Sequence, residues 1–284
     1  MAIKIALMGA GGKVGCRITD NIKDLADYDV AYVEISEAGI ANLAQRGVSP
    51  TPQDEALVDA EVVILALPDK IIGKVTEAIV PTLKPGTMLI GLDPAAAYAE
   101  VMPIRDDLSY FVSHPCHPPL FETENRMPPS ENDWFGGDFA PQNIVCALYD
   151  GPERDYAKGE KIAIDLFSPV TKSHRITVEQ MAILEPALVE TSCATLLYAI
   201  YELMEEAIAM GVPEEAVKAF LFGHIRIELG VIFGFAGFPF SDGAKLAIEQ
   251  ARDKIFQPNW KENVMKIENI RHSVRQITDA VSSS

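Results

Sequence analysis

The chain is poor in positive charge: of 284 residues, Lys and Arg number 24 against 41 Asp and Glu, a formal net charge of −17. Nucleic acids and anionic lipid surfaces are gripped by clustered Lys and Arg, and no such cluster occurs, so neither is an expected partner. Cysteine is also scarce. Cys16, Cys116, Cys146 and Cys193 are far apart and form no C-x-x-C pair, the pattern of a reduced, intracellular protein. No secretory signal precedes the first apolar run, and the expected location is cytoplasmic. The longest apolar stretch, residues 219–238, is interrupted by His224, Arg226 and Glu228, which predicts a buried helix and not a membrane span. No internal repeat or low-complexity segment is apparent.

What is present begins at residue 3. The β-branched run Ile3–Met8 breaks at Gly9, Ala10, Gly11, Gly12, Lys13, Val14 and Gly15, then resumes with helical spacing from Cys16. This reads as strand, tight turn, helix. Such a turn sets a helix N-terminus, with unpaired N–H groups and the positive dipole end, where a pyrophosphate docks. The strict G-x-G-x-x-G pattern is not met, because Val14 takes its sixth place. The next strand, Val30–Glu34, ends in an acid roughly 20 residues beyond the glycines, where a ribose ligand is expected. A carboxylate there accepts from the ribose hydroxyls and repels a 2′-phosphate, so the expected cofactor is NAD.

Further along, Val62–Leu67 is a continuous apolar run suited to a strand buried on both faces. Leu67, Pro68 and Asp69 close it at the cofactor edge, with Asp69 expected to cap the following helix. Strands are predicted near 88–93, 109–112, 143–148 and 169–175, with residues 122–142 a long loop and a candidate lid. From about residue 176 strand signals stop. Thr177–Gln180 forms a capping-box pattern opening a helix to about 210, with Pro186 expected to kink it and free a carbonyl. Further helices are expected at 213–235, 242–255 and 260–280. The predicted class is α/β: a Rossmann-type doubly wound sheet over 1–175, then an all-helical domain over 176–284. Helices this apolar on several faces need partners, which predicts a homodimer through the helical domain.

The segment Ser113-His114-Pro115-Cys116-His117-Pro118 presents two imidazoles at a strand end beside the expected nicotinamide. Histidine suits proton removal from a hydroxyl at neutral pH, so His114 and His117 are the catalytic candidates. His224 and Glu228 stand four apart on one helical face, a spacing that chelates a divalent metal or forms a simple intrahelical bond. Glu185, beside the expected kink, is a further candidate ligand. Lys245 and Arg252 offer cations for a substrate carboxylate or merely a solvated face. Cys116 as a nucleophile lacks any oxyanion-hole pattern.

The glycine turn, the strand ending Leu65-Ala66-Leu67-Pro68, the Ser113-His114-Pro115 strand end and the helical second half resemble the 6-phosphogluconate-dehydrogenase-like superfamily, which includes prephenate dehydrogenases and ketol-acid reductoisomerases. In prephenate dehydrogenases a Ser-His-Pro here supplies a catalytic histidine, a role the resemblance carries to His114. More narrowly, Gly91-Leu92-Asp93-Pro94-Ala95, His114-Pro115-Cys116-His117 and Ile183-Leu184-Glu185-Pro186 resemble a bacterial group that includes the D-apionate oxidoisomerases. That resemblance implies NAD-dependent oxidation of a branched sugar acid at C2, coupled to migration of a hydroxymethyl group. Such a shift needs the keto oxygen and neighbouring alkoxide stabilised together, as a divalent cation does. His114, Glu185, His224 and Glu228 are the available ligands, with His117 the alternative to His114. Reductoisomerases use two carboxylates four apart, whereas here the pair at that spacing is His224 and Glu228.

Overall fold

The computed structural model describes residues 2–121 and 133–279. Most of the expected lid, residues 122–132, lies outside them. The strands are β1 (Ile3–Met8), β2 (Tyr28–Val33), β3 (Val62–Leu65), β4 (Met88–Gly91), β5 (Ser109–Pro115), β6 (Gln142–Asp150) and β7 (Val170–Arg175). Between and after them run α1 (Lys13–Ile22), α2 (Glu37–Gln45), α3 (Gln53–Val58), α4 (Asp69–Ile79), α5 (Ala95–Tyr98), α6 (Tyr156–Leu166), α7 (Val178–Ala182), α8 (Thr195–Ala209), α9 (Glu214–Ile232), α10 (Asp242–Ile255), α11 (Trp260–Met265) and α12 (Ile267–Asp279).

Among the described residues the strands form one sheet in the order β2-β1-β3-β4-β5-β6-β7. β1 to β5 are mutually parallel, while β6 runs antiparallel to β5 and β7 parallel to β6. Both faces of the central strands are covered, which is why their sequences read as unbroken apolar runs. The period of two is nevertheless exact in the packing. Ala6, Met8, Val63, Leu65, Leu89, Tyr110 and Val112 enter one core with Ile72 and Ile79 of α4. Ile5, Leu7, Val62, Ile64, Met88, Ile90 and Phe111 enter the other with Ile18 and Ile22 of α1 and Ile162 and Leu166 of α6.

Two compact units result. One runs from the N-terminus to Leu184 and takes up the chain again at Arg271; the other is Glu185–Ile270. The composition change at 175/176 marks where strands end, but the packing boundary falls nine residues later because Val178 and Met181 are buried in the first core. α12 also returns to the first unit, where Arg271 reaches Glu179 (3.5 Å) and stacks toward Tyr98 (5.9 Å). The stretch expected as one helix over 260–280 is two, α11 and α12.

Thr177 forms the capping box with Gln180. From Ile183 to Ala194 the helix widens to a π-helical winding around Pro186. There the Pro186 carbonyl accepts from Thr191 Oγ1 (2.6 Å) and the Ala187 carbonyl from Ser192 Oγ (2.7 Å), side-chain bonds that back onto the widened turn. By length and composition alone, Val178–Ala209 is apolar enough to cross a membrane, a stretch that reading 219–238 as the longest apolar run overlooks.

Candidate active site

The order of the sheet reverses between β1 and β3, and in open α/β sheets the ligand crevice lies beyond the carboxyl ends of the strands at that switch point. The glycine turn and Ala66-Leu67-Pro68 meet there. Gly9 has φ +74°, and a Cβ on it would stand 2.3 Å from the Ala66 carbonyl oxygen. A Cβ on Gly11 would meet the Gly39 carbonyl oxygen at 2.2 Å, and one on Gly15 the Gly9 carbonyl oxygen at 2.1 Å. These three close the turn.

The Gly9 and Ala10 N–H groups both donate to the Val33 carbonyl (2.9 and 3.1 Å), and Ala10 is buried. Gly12, Lys13 and Val14 are exposed at the start of α1; the Gly12 N–H donates to the Gly9 carbonyl (3.1 Å), and the first N–H groups of a helix, which have no intrahelical acceptor, could face a phosphate from Lys13 onward.

Glu34 follows β2. Its Oε1 accepts from the Ile35 and Ser36 N–H groups and the Ser36 hydroxyl (each 2.9 Å), and its Oε2 from the Gly11 N–H (3.0 Å). Burial raises its pKa, but the bonds from Ser36, Ile35 and Gly11 prevail and hold it below the usual carboxylate range. Asn42 Nδ2 on α2 pins the Gly11 carbonyl at 2.9 Å, while Arg46 is tied to Asp20 (2.9 Å). A close-packed glycine turn beside a fixed, ionised acid is a fit for NAD.

Across the crevice, Leu67 is half-buried and Pro68 occupies the N-cap of α4. Asp69 is the first helical residue and not the cap expected, since proline's fixed φ suits the entry to the helix. Burial, then the charge of Asp93, push the Asp69 carboxyl up to about 6 against the pull of its own N–H and of His114.

His114 lies on β5 and pairs in register with Val145. Its Nδ1 is 2.8 Å from the Leu92 carbonyl oxygen and 3.8 Å from Asp93 Oδ2. A carbonyl only accepts, so Nδ1 carries the proton and the neutral ring keeps its lone pair on Nε2. Asp93 also accepts from the Ala95 N–H at 2.8 Å, which fixes its carboxylate at the start of α5.

His117 stands at φ +60°, its ring 6.2 Å from that of His114, and its Nδ1 is 2.9 Å from the Phe135 carbonyl oxygen. Cys116 lies between the two histidines, its N–H donating to the Asn143 carbonyl (2.8 Å). The first unit thus brings together His114, His117, Asp69 and Asp93. Asp93 was missed by sequence reasoning, although an acid ending a buried strand next to the histidine strand was signal enough.

Glu185, half-buried, opens the second unit. His224 and Glu228 lie exposed on α9 of that unit, with His224 Nδ1 2.7 Å from the Phe220 carbonyl oxygen and its ring stacked on Phe220 at 3.9 Å. Lys245 pairs with Asp242 (3.2 Å) on α10, where Arg252 is also exposed.

The fold and the glycine turn with its acid define an NAD-dependent oxidoreductase. The C-terminal domain family of decarboxylating phosphogluconate dehydrogenase matches residues 123–278. A D-apionate oxidoisomerase of Rhizobium rhizogenes is 50% identical over 275 residues, covering 96% of this chain and 99% of that one. One from Cupriavidus necator is 46% identical, covering 98% and 100%. The chain belongs to the D-apionate oxidoisomerase family, within the 6-phosphogluconate-dehydrogenase-like superfamily.

Among solved structures, a semialdehyde dehydrogenase NAD-binding protein from Cupriavidus necator, in complex with calcium and NAD, superposes with a TM-score of 0.93 at 46% identity, covering 98% of this chain and 100% of that one. An NADH-preferring ketol-acid reductoisomerase from an uncultured archaeon shares the fold, with a TM-score of 0.66 at 16% identity, covering 97% and 82%.

Proposed function

We propose that the enzyme oxidises D-apionate at C2 and isomerises the product to 3-oxo-isoapionate. The observation that carries this reading is the near full-length identity to relatives of that activity. The site chemistry supports it. NAD, when bound, accepts the C2 hydride. His114 Nε2 is the lone pair placed to take the C2 hydroxyl proton, because the Leu92 carbonyl holds the proton on Nδ1. The hydroxymethyl group then leaves C3 for C2 with its bonding pair; the C3 oxygen becomes the ketone, and its proton passes to the new C2 hydroxyl, a transfer for which His114 and His117 are the candidates.

A divalent cation would stabilise the two oxygens between which negative charge moves. The oxygen donor of Asp93 fits such an ion, and so does the imidazole of His114, in which case its one lone pair on Nε2 is committed to the ion and His117 is the base. Glu185 is the proposed third ligand. The calcium in the related structure supports a cation here. His224 and Glu228 remain a second candidate pair. For the sugar-acid carboxylate, Lys245 and Arg252 are candidate cations.

We further propose a cytoplasmic homodimer joined through the helical unit. Phe220, Phe222, Phe233 and Phe238 are exposed on it, more aromatic surface than a monomer leaves to water. A second copy is preferred to lipid because the helical unit also exposes Glu190, Glu202, Glu205 and Glu206. Neither nucleic acid nor membrane is a proposed partner. The test of the reaction is NADH formation from NAD and D-apionate, with NMR of the product: a rearranged skeleton supports the reading, and an unrearranged 2-oxo acid replaces it with plain dehydrogenation.

A further inference from the structure

The segment after residue 132 makes contacts that the reaction as described does not use. Asp133 is buried, and its Oδ2 accepts from the N–H groups of Asp138 and Phe139 (3.1 Å each) and Ala140 (3.0 Å). Gly136 and Gly137 reverse the chain at φ +73° and +100°. A carboxylate holding three backbone donors makes residues 133–140 a tied knot and not a loose loop. From the knot, Phe135 lies 3.6 Å from Lys13 Nζ and 4.4 Å from the Arg17 guanidinium carbon, measured to the ring centroid.

Lys13 and Arg17 are the basic residues of α1, four apart and so on one face. They stand on the helix whose N-terminus could face a phosphate. In a chain of net charge −17, a pyrophosphate is drawn in only by local cations. An aromatic face within about 6 Å attracts a cation, which restricts where two long side chains dwell.

The same residue reaches the reaction side. The Phe135 carbonyl accepts from His117 Nδ1 at 2.9 Å, and the two rings meet edge-on at 5.6 Å. His117 has φ +60°, an uncommon backbone state for a side-chain-bearing residue that persists only where surroundings impose it. Among the interactions described, Phe135 and the His114 ring, at 6.2 Å, are what its side chain meets. With Nδ1 donating to that carbonyl, the lone pair of His117 is set on Nε2.

We propose that Phe135 is a positioning residue on which both the hold on the dinucleotide pyrophosphate and the placement of His117 depend. Its ring steadies Lys13 and Arg17 and, edge-on, sets the direction of the imidazole, while its main-chain carbonyl, which side-chain substitution leaves in place, fixes the tautomer. The inference rests on His117 belonging to the reaction site, and the experiment separates the two.

NAD dissociation constants are measured by protein fluorescence, and kcat and KM with D-apionate, for wild type, Phe135→Leu, Phe135→Tyr, His117→Ala and the Phe135→Leu/His117→Ala double variant. Leucine keeps an apolar side chain without a π face; tyrosine keeps the face. Phe135 is partly exposed, so both variants are expected to fold, and circular dichroism checks it. The expected result is a rise in the NAD dissociation constant of about three- to tenfold in Phe135→Leu, with a fall in kcat, both restored in Phe135→Tyr.

In the His117→Ala background, Phe135→Leu is expected to weaken NAD binding as before but to lower kcat no further. An unchanged NAD dissociation constant, or an equal kcat loss with His117 absent, overturns the proposal. Wild-type kcat in His117→Ala overturns the role of His117, and the proposal with it.

Discussion

The Nδ1 of His114 lies 2.8 Å from the carbonyl oxygen of Leu92. This bond spans neighbouring parallel strands, and it decides which ring nitrogen carries the proton. With the proton held there, the other nitrogen is the base or ligand. His114→Ala is therefore expected to lower kcat by about 10²–10⁴-fold while the NAD dissociation constant stays near wild type; a variant that keeps wild-type turnover removes His114 from the chemistry.

Cofactor choice is predicted to rest on Glu34 and on the space around it. A Cβ on Gly39 would stand 2.4 Å from the Glu34 carboxyl carbon, so even alanine there must displace the acid. Gly39→Ala and Glu34→Gln are both expected to weaken NAD binding by about fivefold to tenfold, the loss of one charge-assisted bond. Glu34→Gln also narrows the preference against NADP. Titration of each variant with both dinucleotides checks this, and unchanged ratios would count against it.

Asp133 gives a pH dependence with a defined sign. Burial raises its pKa, but the bonds from Ala140, Phe139 and Asp138, with the charge of Arg17, lower it further, so the net shift is downward. A carboxylate whose folded pKa is depressed contributes stability that is complete above its unfolded pKa, near 4, and lost as pH falls through the folded value. Asp133→Asn is expected to lower the melting temperature at pH 7, with the gap to wild type closing below pH 4. A gap of constant size across that range would show that ionisation is not the source.

The exposed aromatic surface of the second unit predicts association. Wild type is expected to elute as a dimer by light scattering, and Phe222→Glu together with Phe233→Glu to shift it toward monomer. A wild-type monomer at micromolar concentration would contradict the proposed homodimer.

The glycine turn and its acid were legible because each demand is local: a positive φ at Gly9, and a carboxylate one strand later. The ends of α10 were likewise legible, since Ser241 caps a helix of helical periodicity. The direction of β6 was not, because a run apolar on both faces carries no record of which way its neighbours run. Asp93 and Phe135 were missed for another reason. Asp93 matters through its distance to a histidine more than 20 residues away, and Phe135 through contacts to Lys13 and His117 that the loop sequence does not encode. The boundary near residue 175 was read from composition, whereas burial of Val178 and Met181 carries the first unit on to Leu184.

The most direct test of the account is NADH formation at 340 nm from NAD and D-apionate, before and after exhaustive chelation, with carbon NMR of the product. The account predicts stoichiometric NADH, a rearranged 3-oxo product, and loss of that product on chelation with recovery on adding a divalent cation. Full formation of the rearranged product after chelation would contradict the proposed cation, and NADH with an unrearranged carbon skeleton would contradict the isomerisation itself.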